Sequence, residues 1–195
     1  MAWLAPSTKW IVSIWIGGWR RALRTACARC GVWWKTRSRF KGSMDLHPDF
    51  KDLLAEFVRC GVRFALLGGY AVGIHAKPRA TKDLDLLVSA EGDNLSRVAA
   101  ALTAFGAPTH VVEAARNMQP TEVVYLGVPP VRIDILQRAD GIDTEQTLER
   151  AMTVNIGDLA VPVISLQDLI ANKRAAGRPQ DLADVALLER VRSQS

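Results

Sequence analysis

Two aspartates separated by a single leucine, Asp83-Leu84-Asp85, stand inside an otherwise apolar run, DLDLLV. Alternate side chains of an extended strand share a face, so Asp83 and Asp85 point one way and Leu84 and Leu86 the other. Two carboxylates held side by side repel each other and resist burial unless a cation stands between them. A hard divalent ion that takes oxygen ligands, Mg²⁺ above all, answers that description. Upstream, with thirteen residues intervening before Asp83, the apolar run VRFALL closes on the pair Gly68-Gly69. Glycines at the head of a helix let backbone N–H groups come close to an anion such as a phosphate. The chain contains no GxxxxGK[ST], so this is not a Walker loop.

Elements able to hold these groups are legible on either side. Pro48 and the following DFKDLLAEFVRCG carry an apolar stripe at Phe50, Leu53, Leu54 and Phe57, which predicts a helix from Pro48 to Gly61. VRFALL (62–67) predicts a strand, YAVGIHA a short helix, and KPRATK a polar connection in which Pro78 bars helix continuation. DLDLLV (83–88) is the next strand. Asp93 is expected to cap a helix over NLSRVAAALTAFG that Gly106 stops. TEVVYLG and VRIDILQ read as a hairpin turning at Pro129-Pro130, DTEQTLERAM as a helix, and TVNIGDLAVPVI as a second hairpin turning at Gly157-Asp158. Ser165 and Asp168 form an S-x-x-D capping pattern at the head of SLQDLIANKRAAG. Gly177 ends that helix and Pro179 opens the last, PQDLADVALLERV. The order of elements predicts a mixed α/β fold (α+β), with a central mixed β-sheet flanked by helices and no internal repeat.

The succession of strand, Gly-Gly, short helix and then Asp-x-Asp on the next strand resembles the DNA polymerase β-type nucleotidyltransferase superfamily. The Arg-x-Thr-x-Asp-h-Asp form at Arg79, Thr81, Asp83 and Asp85, with the tail SLQDLIANKRAAGRPQDLADVALL, is similar to small bacterial nucleotidyltransferase-like proteins. Some of these are the toxin halves of toxin–antitoxin or phage-defence pairs. The resemblance covers residues 48–191 and implies a polymerase β-like nucleotidyltransferase fold. It implies Mg²⁺-dependent transfer of a nucleoside monophosphate from an NTP to a hydroxyl, with release of pyrophosphate. Two Mg²⁺ ions would clamp the attacking and leaving oxygens of such an in-line displacement. Their ligands would be Asp83, Asp85 and Asp134, the last being the only acidic residue in VRIDIL and standing at the family's third carboxylate position. Asp134 would also accept the proton of the attacking hydroxyl. Gly68 and Gly69 would receive the triphosphate, and Arg79 and Lys82 would contact phosphates or the acceptor. Lys173 and Arg178 would reach the triphosphate, oriented by Asp181 and Asp184. His75 reads as local packing or a cap rather than a base.

Charge is unevenly placed along the 195 residues, whose net is +5. Of 25 Lys and Arg, nine lie within residues 1–43, which hold no Asp or Glu; residues 44–195 carry 16 against all 20 acidic residues, net −4. All six Trp fall in the same leader. Overall basicity therefore does not mark the body as a nucleic-acid binder, since phosphate binding rests on clustered Lys and Arg. WIVSIWIGGW (10–19) falls short of the ~20 apolar residues that span a bilayer, and the basic residues follow it, the reverse of a secretory signal. The expectation is that residues 1–43 are a basic, Trp-rich leader, disordered or not translated, with Met44 opening a transferase domain over 44–195. A Trp/Arg helix lying on an anionic membrane surface is the rival reading of the leader. Cys27 and Cys30 form an isolated CxxC, and Cys60 reads as a packed apolar residue; so few cysteines suit the reducing cytoplasm. An antitoxin is the expected protein partner, and no stable membrane association is expected. The acceptor stays open between a tRNA 3′ end, a protein hydroxyl and a small molecule. A catalytically inactive nucleotide- or partner-binding protein of the same fold is the alternative function.

Overall fold

The computed structural model describes residues 46–129 and 131–194, together with the backbone of Trp10–Ile11. The expectations for the rest of residues 1–43, the CxxC included, and for Pro130 lie outside the described residues. Helix α1 (Pro48–Arg59) starts with proline in its first turn, buries Phe50, Leu53, Leu54 and Phe57, and is followed by Gly61 in the left-handed region at φ +64°. Strand β2 (Phe64–Leu67) runs directly into α2 (Gly68–His75), and β3 (Asp83–Val88) follows the polar connection. Then come α3 (Asn94–Phe105), α4 (Thr109–Arg116), the hairpin of β4 (Val123–Val128) and β5 (Val131–Leu136), and α5 (Thr144–Glu149). A second hairpin, β6 (Met152–Ile156) and β7 (Leu159–Val163), leads to α6 (Leu166–Ala176) and α7 (Pro179–Arg192). Trp10–Ile11 pairs in parallel with β4 and is counted as β1.

The strands form one mixed sheet in the order β1-β4-β5-β3-β2-β7-β6, the α/β arrangement expected from the element order. Both predicted hairpins are antiparallel pairs, and β3 lies between β5, to which it is parallel, and β2, to which it is antiparallel. That central position explains why β3 alternates only at its start: Asp83 and Asp85 are half-buried, while Leu84, Leu86, Leu87 and Val88 are fully enclosed. The core gathers these leucines with Ile135, Leu102 and the α1 stripe, and Phe57 meets Phe64 edge to face with ring centroids 5.4 Å apart. Each such side chain contributes about 1.5–3 kcal/mol by leaving water. One set of helices links α1 to α3 and β7, α3 to α4, and α4 to β4; in the other, α6 and α7 pack on each other and on α2.

Local departures from the sequence reading have physical causes. Helix α4 was not anticipated: its stripe is only Val111, Val112 and Ala115, and its N-cap residue is Pro108, whose side chain offers no hydrogen bond. Asp93 sits at the head of α3 but makes no side-chain cap; its carboxylate pairs with Arg97 at 3.0 Å instead. Ser165 does cap α6, its Oγ accepting from the Asp168 N–H and donating to Asp168 Oδ2 at 2.7 Å. Among the described residues no helix is long and apolar enough to cross a membrane.

Candidate active site

Strand register assembles one face of the sheet into a charged patch. The parallel pairing of β3 and β5 sets Asp83 opposite Arg132 and Asp85 opposite Asp134, and the β4–β5 pairing sets Tyr125 opposite Asp134. Three carboxylates and one guanidinium therefore share neighbouring positions on the same face. Arg132 bridges two of the acids: its Nε donates to Asp134 Oδ1 at 2.7 Å, and its Nη2 donates to Asp134 Oδ2 and to Asp83 Oδ2, each at 2.9 Å. The guanidinium carbon stands 5.2 Å from the centroid of the Tyr125 ring, within reach of a cation–π contact.

One cation does not satisfy three acids. Asp83 Oδ1 is buried and accepts no hydrogen bond from the described residues. Burial, with repulsion from Asp134 and Asp83, raises the Asp85 acid from an ordinary carboxylate value to about 7, and nearby Lys173 and Arg132 only partly oppose this. Burial also raises Asp134, against the hydrogen bond from Arg132. These acids, all oxygen donors and short of positive charge, fit a hard divalent cation by chemistry. Their present arrangement is not a closed cage: among the described residues, no group of three His, Cys, Asp or Glu is gathered as metal ligands. The Arg132 guanidinium stands between Asp83 and Asp134 instead.

The two glycines prove to be spacers for β3. Gly68 lies at φ +67°, and a Cβ there would fall 1.8 Å from Asp85 Oδ2. At Gly69 a Cβ would fall 2.5 Å from Thr81 Oγ1. The start of α2 can therefore lie against Asp85 and Thr81 only without side chains, which adds a packing reason to the phosphate-approach reason drawn from the sequence.

Facing the acids is a chain of alternating charges on α6, α7 and the loop before β3. Arg79 donates both prongs of its fork to Asp184, at 3.0 and 2.9 Å. Lys173, its side chain only 9% exposed, bonds Asp181 at 2.6 Å and approaches Asp184 at 3.2 Å. Arg178 Nε lies 3.1 Å from Asp181, and its side chain is 79% exposed at the cleft rim. All nine residues singled out from the sequence, Gly68, Gly69, Arg79, Lys82, Asp83, Asp85, Asp134, Lys173 and Arg178, line one cleft of about 940 Å³. Asp181 lines it too, and Arg132 and Tyr125 do so without having been foreseen. A signal for Arg132 was present: it lies two residues before Asp134 in VRIDIL, hence on the same strand face. His75 lies apart from these groups, its Nε2 2.7 Å from the Ile164 carbonyl oxygen and its basicity lowered by burial, as packing rather than base chemistry requires.

Residues 52–194 match the family described as "Nucleotidyl transferase AbiEii toxin, Type IV TA system". No curated protein matches the chain. Among solved structures, an antigenic nucleotidyltransferase-like protein from Paracoccidioides brasiliensis is similar over 71% of this chain and 72% of that one, at 15% identity and a TM-score of 0.44. The family match begins in α1 and runs through the whole cleft to the end of α7. The chain thus belongs to the AbiEii nucleotidyltransferase toxin family of type IV toxin–antitoxin systems.

Proposed function

We propose that this nucleotidyltransferase toxin is Mg²⁺-dependent and moves a nucleoside monophosphate from an NTP to a hydroxyl. The acceptor oxygen bonds to the α-phosphorus, the bond to the β-phosphate oxygen breaks, and pyrophosphate leaves with its electron pair. The observation that carries this reading is the trio Asp83, Asp85 and Asp134 on one sheet face, short of a cation and lying against Gly68. These three would hold the ions, which when bound neutralise the triphosphate and align the attacking oxygen. Asp85 sheds its proton to become a ligand, and Asp134 takes the proton of the hydroxyl. On the opposite wall the Arg79–Asp184–Lys173–Asp181–Arg178 chain carries one more cation than anions and presents Arg178 at the rim, so that wall favours the triphosphate. Lys82 is exposed beside it.

We assign this chemistry to residues 44–195 and to the cytoplasm, with an antitoxin as protein partner. The acceptor is a hydroxyl of a tRNA end, a protein or a small molecule. Measuring pyrophosphate released from each NTP with candidate acceptors, in Mg²⁺ or in EDTA, tests the reading. Release that requires both Mg²⁺ and Asp83 supports it; release that persists in EDTA, or at an unchanged rate in Asp83→Ala, removes it.

A further inference from the structure

The proposed transfer makes no use of Arg132, yet Arg132 holds two of the three acids that the transfer needs. Its position follows from register: β5 places it opposite Asp83 and two residues before Asp134, so one planar fork spans both carboxylates. Across the hairpin its partner on β4 is Gly127, which has no side chain to crowd the stem. The side chain is 32% exposed, so its departure from the acids opens no sealed void. Beside it the Tyr125 ring offers a face on which a freed guanidinium can rest.

We propose that Arg132 is an internal counter-cation that clamps Asp83 and Asp134 in the metal-free protein and yields them to a divalent ion. Metal then enters by displacing a guanidinium, not by filling an open cage. This rests on the reading of the acids as metal ligands. The logic is electrostatic. With Arg132 in place, three carboxylates keep a deficit of positive charge, and a divalent ion supplies twice the charge of a guanidinium at shorter range. Against that gain, two acids must give up charge-assisted hydrogen bonds. The competition weakens metal binding to the empty protein and leaves firm binding to the metal–nucleotide pair, whose phosphates add ligands of their own. Arg132 is accordingly a positioning residue, acting through Asp83 and Asp134.

Binding of Mn²⁺ to the full chain without nucleotide, followed by the electron paramagnetic resonance of the free ion, tests the clamp in wild type, Arg132→Met and Arg132→Lys. The expected result is about tenfold or more tighter binding in Arg132→Met, the fold-change that one lost charge-assisted hydrogen bond represents. Arg132→Lys should fall between the two, because an ammonium competes for the acids but does not span them as a fork does. In EDTA, Arg132→Met should melt below wild type, and Mn²⁺ should raise its melting temperature by more than it raises that of wild type. Equal or weaker Mn²⁺ affinity in folded Arg132→Met overturns the clamp while leaving the metal reading intact. If Arg132→Met does not fold, wild-type affinity in Arg132→Lys overturns it in the same way. Absence of Mn²⁺ binding in every protein, with or without ATP, overturns the metal reading and the clamp together.

Discussion

The two walls of the cleft solve the problem of charge in opposite ways. On the sheet wall, Asp83 and Asp134 share one guanidinium, an Asp83 oxygen accepts no hydrogen bond from the described residues, and burial together with the neighbouring carboxylates lifts the Asp85 acid to about 7. On the helix wall, three cations share two carboxylates in an unbroken chain of ion pairs, where Asp181 Oδ2, which accepts no hydrogen bond from the described residues, is still met by Arg178 at 3.1 Å. The second arrangement pairs every carboxylate with a cation, and its net charge is positive. The first is incomplete, and its net charge is negative. A cluster whose acids are all ion-paired gives a rigid surface, whereas one short of cations exposes a demand that a ligand can meet. Placed face to face they polarise the cleft, which under the proposed mechanism gives a metal and a polyphosphate different walls to sit on.

Substitutions on the two walls should therefore fail differently. The largest effect is expected from Asp83→Ala or Asp134→Ala: a loss of several kcal/mol of transition-state stabilisation, about a thousandfold in transfer rate, with the fold retained by circular dichroism. Lys173→Met should instead act on stability. It leaves Asp181 and Asp184 buried beside partners that reach them from the rim and the loop, at a cost of about 3–5 kcal/mol in denaturant unfolding. A cost below about 1 kcal/mol, in the range of surface pairs, would mean that Arg79 and Arg178 suffice and that the helix wall is less interlocked than its distances imply.

Between the walls, Gly68→Ala should cost about 1–3 kcal/mol from its positive φ alone and should displace Asp85, against whose Oδ2 the new methyl would press. Gly69→Ala should be milder, because it meets the tip of Thr81, which can rotate. Thermal melts of both variants, with transfer rates, separate the two.

The most pH-dependent effect is the one most specific to the acidic wall. Asp85 has its acid raised from 3.8 to about 7 in the folded state, so the folded protein holds a proton that the unfolded chain releases. Its contribution to stability is intact below pH 3.8, declines as pH rises, and is fully lost above about 7. In EDTA, Asp85→Asn should gain stability relative to wild type across that window, read as a widening gap in melting temperature. A gap that stays flat would mean that Asp85 is not strained by its burial and its acidic neighbours.

Much of this was legible in the chain itself, because local rules governed it. Apolar periodicity gave α1, proline and glycine bounded the helices, and an S-x-x-D pattern marked the cap of α6. Asp-x-Asp beside an apolar alternation showed which face of β3 would carry the acids. What escaped depended on pairing across distance or on signals too short to read. Arg132 becomes a bridge only through the register of β3 against β5, set by residues 49 apart in sequence. The reason Gly68 must lack a side chain lies 17 positions on, at Asp85, and no composition rule exposes such a contact. Helix α4 has a single turn's worth of apolar residues and no side-chain cap, so it forms by packing on α3 and β4 and not by propensity.

Transfer of label from an α-labelled NTP, with Mg²⁺ and a mixed pool of tRNA, protein and small-molecule acceptors, reads the contrast between the walls most directly. Wild type should pass label to one acceptor class and release pyrophosphate in equal amount, while folded Asp85→Ala should pass none. Label transferred equally well by Asp85→Ala would contradict the assignment of the chemistry to the acidic wall.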